Sequence, residues 1–103
     1  MKRLYQMADA ANKRFPDGVE PYQMGTRLLE ECGEVAAEIC HWEGSGIKRI
    51  KHGEPSKEVL AGEIRQAMTA LAQIARYYGV EAELEKSIAA SLERSREEGL
   101  IES

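Results

Sequence analysis

Leu28-Leu29-Glu30-Glu31-Cys32-Gly33-Glu34-Val35-Ala36-Ala37-Glu38-Ile39 is the stretch on which the reading of this chain turns. It contains no proline, and its apolar residues recur at three- and four-residue steps, the period of an amphipathic helix. At about 100° per residue with Leu28 as origin, Leu28, Cys32, Val35 and Ile39 fall within roughly 40° of it and form an apolar stripe. The carboxylates do not lie opposite that stripe, where solvated acids belong. Glu31 falls at about −60°, Glu38 at about −80° and Glu34 at about −120°, while Glu30 points nearly away.

The segment from Ser56 to Tyr78 repeats the device. Leu60, Ile64, Ala67, Leu71, Ile74 and Tyr78 form its stripe, with Glu63 at about −60° and Gln66 at about −120° from Leu60. Each helix thus carries oxygen-bearing side chains three residues apart on one shoulder of its apolar face. If the stripes face each other, the shoulders converge. Converging carboxylates repel and lose hydration, so a positive group between them is required. A hard divalent cation with oxygen ligands meets that need. Solvated acids paired along the helix, such as Arg27 with Glu31, are the competing and more ordinary reading.

Around these two helices the chain of 103 residues reads as one all-α domain, 1–103, without an alternating stretch long enough for a strand. A first helix is expected over residues 2 to 14, ending at Phe15-Pro16-Asp17-Gly18. Pro21 suits the first turn of a second helix running to Trp42. Gly44-Ser45-Gly46 breaks it, and a basic stretch follows, Ile47-Lys48-Arg49-Ile50-Lys51-His52. Ser56 is a natural cap for the third helix, and Gly79 a natural stop. A fourth, from about 81 to 98, carries Leu84, Ile88 and Leu92 on one side. This is a small four-helix bundle. Its apolar arcs are wide, which predicts a homodimer or homotetramer.

Composition excludes several classes. With 14 basic and 18 acidic side chains the net charge is −4, which disfavours binding to a nucleic-acid polymer. No apolar run is long enough to span a bilayer and the N-terminus lacks a signal-type core, so a cytoplasmic, membrane-free protein is expected. Cys32 and Cys40, about 12 Å apart along one helix, cannot bridge within it, and the expectation is two buried or half-buried thiols.

The two motifs resemble those of the MazG-like all-α nucleotide pyrophosphohydrolases. Glu30-Glu31-Cys32-Gly33-Glu34 is similar to the family's EExxE, and Glu63-Ile64-Arg65-Gln66 to its ExxD. The basic stretch ending at His52-Gly53 and the Tyr77-Tyr78-Gly79-Val80 close extend the likeness over about residues 24 to 98. The resemblance implies a four-helix core in dimers or tetramers, with Mg²⁺ (or Mn²⁺ as a substitute) on the carboxylates. It implies cleavage of a nucleoside triphosphate to the monophosphate and pyrophosphate. By motif position Glu31, Glu34, Glu63 and Gln66 correspond to metal ligands, and Glu30 with Glu31 to groups that activate water. Gln66 is the departure, an amide where the family has Asp, which supplies an oxygen but no charge. A relative that binds nucleotide or metal without turnover, or a plain oligomeric interaction module, is therefore the alternative. Lys51, Lys86 and Arg94 are the expected phosphate contacts, with Lys48, Arg49 and Arg96 as further cations. Trp42, Tyr77 and Tyr78 are the aromatics available to a base, and no partner for His41 or His52 can be read from the sequence.

Overall fold

The computed structural model describes residues 1–44 and 53–102. Within them the chain forms four α-helices: α1 (Lys2–Arg14), α2 (Pro21–Trp42), α3 (Lys57–Tyr78) and α4 (Glu81–Glu97). A 3₁₀ turn, Pro16–Gly18, joins the first two. No strand occurs among the described residues.

The helix ends follow from local chemistry. Glu20 caps α2, its two carboxylate oxygens accepting from the Tyr22 and Gln23 amides at 3.1 Å each, while Pro21 takes the turn position that needs no donor. Ser56 Oγ accepts from the Val59 amide at 3.3 Å at the start of α3. Gly79 closes α3 at φ 64°, a left-handed conformation that lets the Val80 amide reach back to Ala75 O at 3.0 Å.

Helix α3 is the centre. It packs on α2 along one side and on α1 along another. Buried Ala70, Ala72 and Ala75 let the neighbours approach closely. On the α1 side the one large buried residue is polar: Gln73, 3% exposed. Its Nε2 donates to Asn12 Oδ1 at 2.9 Å, and its Oε1 accepts from Arg27 Nη1 at 3.3 Å. One amide thereby ties three helices. Gln73→Leu strands the Asn12 oxygen and the Arg27 donor together, and is expected to cost about 1–3 kcal/mol in urea unfolding. A second tie is Arg76, which donates to both Asp9 oxygens at 3.0 Å and to Glu81 at 3.1 Å, with its guanidinium stacked 4.7 Å over the Tyr5 ring.

Two sequence expectations are corrected in the packing. The apolar stripes are only partly turned inward. On α2 the residues turned inward include Leu28 and Val35 of the stripe, but also Met24, Glu31, Glu38 and Trp42, so the inward face is shifted toward the acidic shoulder. On α3 Leu60 and Ala67 of the stripe are half-buried, and so are Glu63 and Ile74, with Ala70 buried. The acidic shoulders share the covered side, and much of each stripe is left open: Ile39 is 54% and Leu71 53% exposed. Both cysteines are exposed rather than buried or half-buried, Cys32 because it lies on the open stripe.

Helix α4 has no buried residue and is held chiefly at its junction with α3, through Arg76 and Glu81. The radius of gyration is 16.7 Å, against the ~13 Å of a closed globule of this length.

Candidate metal and phosphate site

Glu31 on α2 and Glu63 on α3 are near enough for the charge of one to act on the other. Glu31 Oε2 and Glu63 Oε2 are both buried and accept no hydrogen bond. Burial raises the Glu31 pKa above its ordinary 4.5, the Glu63 charge raises it further, and Glu34 and Glu30 add smaller increments against a lowering by Arg27. Two carboxylate oxygens without water or donors are a costly arrangement for a folded chain to keep.

The other expected site residues are placed unevenly. Glu34 is exposed on α2 and acts on Glu31 through its charge. Gln66 is exposed on α3, and with Glu30 and Glu31 it lines a cavity of about 520 Å³ between α1, α2 and α3. Among the described residues no group of three or more His, Cys, Asp or Glu is disposed to hold a metal ion. The four expected oxygen ligands thus resolve into one neighbouring pair, Glu31 and Glu63, with Gln66 at the cavity beside it. Glu38, on the same shoulder as Glu31, is 1% exposed and lies 3.8 Å from His41 Nδ1. His41 itself is buried and donates from Nε2 to Gly53 O at 2.7 Å, pinning Gly53 to the end of α2. That geometry gives His41 a structural task.

Lys86 and Arg94 are exposed on α4, and neither lines this cavity. Lys51, like Lys48, Arg49 and His52, lies outside the described residues. The cations that do line the cavity are Arg14, Arg27 and Arg65, none of which sequence reasoning selected. Their sole advance signal was adjacency: Arg27 is four residues before Glu31, and Arg65 directly precedes Gln66.

The neighbouring pair suits Mg²⁺, which is usually bound through one or two carboxylates and completes its shell with water and substrate phosphates. The buried, unpartnered oxygens of Glu31 and Glu63 are the fit that such an ion would satisfy. Tyr77 and Tyr78 stack edge to face, with centroids 4.9 Å apart, at the far end of α3. No helix among the described residues is long and apolar enough to cross a membrane. No family model matches the chain, and no curated protein or solved structure matches it.

Proposed function

We propose that this all-α chain is a Mg²⁺-dependent nucleoside triphosphate pyrophosphohydrolase of MazG-like type that acts as a homodimer or a larger homo-oligomer. The observation that supports the reading is the pair of unpartnered buried oxygens on Glu31 and Glu63, whose charges repel, with Glu31 lining a cavity that also holds arginines. The ion would be held by Glu31 and Glu63 and would supply Lewis-acid polarisation of the phosphates and charge neutralisation. Water attacks the α-phosphorus, the bond from that phosphorus to the α–β bridging oxygen breaks, and pyrophosphate departs. Glu30, on the cavity wall, accepts a proton from the attacking water. Positioning and electrostatics dominate such phosphoryl chemistry, so the chain needs no covalent nucleophile.

The test is a panel of ribo- and deoxyribonucleoside triphosphates with Mg²⁺ or Mn²⁺ and direct detection of pyrophosphate. Pyrophosphate release from at least one nucleotide, abolished by chelator, is expected. Silence across the panel at high enzyme concentration overturns it.

Gln66 supports one second reading, a nucleotide- or metal-binding relative without turnover, because an amide replaces the charge that the resemblance leads one to expect. Under that reading the wild type is inactive, while Gln66→Asp tightens Mg²⁺ binding and releases pyrophosphate. In either case Mg²⁺ bound to the native state raises the melting temperature, which a plain interaction module does not show.

A further inference from the structure

We infer that the cavity between α1, α2 and α3 grips the polyphosphate end of its ligand on an arginine wall, Arg14, Arg27 and Arg65, with Phe15 as the surface on which a ring stacks. Each guanidinium comes from a different helix, Arg14 from the last turn of α1, Arg27 from α2 and Arg65 from α3. Among the described residues none of the three is paired with a carboxylate, whereas Arg76 and Arg96 are. Arg27 is part-buried and is held only by neutral acceptors, Gln73 Oε1 at 3.3 Å and Gly18 O at 3.4 Å. These bonds orient the fork, whose charge also acts on Glu31. A Cβ at Gly18 would stand 2.5 Å from Arg27 Nη2, so a larger residue there would displace the guanidinium.

A chain of net charge −4 that gathers three guanidinium groups, none of them in a salt bridge, against the two carboxylates of Glu30 and Glu31 around one cavity of about 520 Å³ has left that cavity a positive excess for an anion. That volume falls in the range of small-molecule sites. Arginine's planar fork matches phosphate oxygens two at a time, and three forks suit a chain of phosphates better than a single carboxylate. Phe15 is exposed beside Arg14 and lines the same cavity, which places an apolar ring face next to the anion site.

The nucleotide as ligand rests on the hydrolase reading, but the arginine wall needs no metal, and this separates the two. Binding of inorganic pyrophosphate and of a nucleoside triphosphate is measured calorimetrically in chelator at low ionic strength. Wild type is expected to bind both. Arg14→Ala and Arg65→Ala, which remove no side-chain hydrogen bond among the described residues, are expected to weaken both by about ten-fold or more each. Phe15→Ala is expected to weaken the nucleotide by about five-fold and leave pyrophosphate unchanged. Circular dichroism and melting temperature confirm that each variant is folded. Absence of pyrophosphate binding to wild type, or unchanged affinity in both arginine variants, overturns the assignment. Pyrophosphate held on the wall with no nucleotide hydrolysed under any metal defeats the hydrolase reading alone. Turnover with KM unaltered by Arg14→Ala and Arg65→Ala defeats the wall alone.

Discussion

Without divalent ions, Glu31→Gln is expected to make the chain more stable at neutral pH by about 1 kcal/mol, and on the proposed hydrolase reading to lower Mg²⁺-dependent turnover about 100-fold or more. The stability gain follows from the geometry. Glu31 Oε2 is buried without a donor and feels the Glu63 charge, so the neutral amide removes both a desolvated charge and a repulsion. The sign of the pH dependence is fixed. Unfolded, Glu31 ionises near its ordinary 4.5; folded, burial and Glu63 hold its pKa higher. Between those two values the folded chain binds more protons than the unfolded chain. Wild-type stability therefore falls as pH rises through that window and levels above it. The advantage of Glu31→Gln is absent at pH below the ordinary carboxylate range and fully developed at neutrality. Melting temperatures from acid to neutral pH, in chelator, measure it: a gain of about 4–8 °C at neutrality that vanishes in acid. Glu63→Gln removes the neighbouring charge and is expected to stabilise in the same direction. Adding Mg²⁺ reverses the order, because only the intact pair gains from the ion. The loss of several kcal/mol of transition-state stabilisation lowers turnover by about 100-fold or more in either variant. A wild type that is more stable than both variants in chelator would show that the pair is not a repulsive one.

That pair was legible before any coordinates, and by the arithmetic that placed the core only in part. Glu31 and Glu63 sit at the same angle from their apolar stripes, so antiparallel packing of the two faces puts both shoulders on one side of the seam, and the axial register then decides how near they come. The helix ends were equally legible, because Pro21, Ser56 and Gly79 act through local sterics and hydrogen bonds alone. What periodicity cannot tell is which partner an apolar stripe is for. Leu28, Cys32, Val35 and Ile39 have the spacing of a core, and spacing is the same whether the burying surface is α3 or a second copy. The structure turns the shoulders inward and leaves Cys32 and Ile39 open. The arginine wall was illegible for a different reason. Arg14, Arg27 and Arg65 lie on three helices, and their meeting depends on where α1 docks. That docking is set by Gln73, a polar residue in a face that hydrophobic patterning discounts. Glu20 as the cap of α2 was missed because a glutamate before proline carries no strong capping preference.

On the proposed homodimer, Ile39→Asp and Leu71→Asp are expected to give a monomer. The open arc of α2 holds Leu29, Cys32, Ala36 and Ile39, that of α3 holds Ile64 and Leu71, and both lie on the side of their helices turned away from the intrachain contact. Six such residues on adjacent helices are more apolar surface than a stable monomer ordinarily leaves in water. The extended radius of gyration and an α4 without a buried residue point the same way. A second copy is the occupant that these features favour, since the same arc on both subunits is self-complementary about a two-fold axis. In such an interface each substitution counts twice. Losing two buried Ile or Leu side chains costs about 3–6 kcal/mol, before the penalty of burying the aspartates, so dissociation constants rise by about 100-fold or more. Sedimentation equilibrium of wild type and variants reads this directly. A wild type that stays monomeric at high micromolar concentration overturns it. The site is separate from this arc: Glu31 sits on the side of α2 turned toward α3, about 80° round the helix from Ile39. The monomeric variants are therefore expected to keep their helicity and the Mg²⁺-induced rise in melting temperature, whereas a site completed by a second copy would lose most of it.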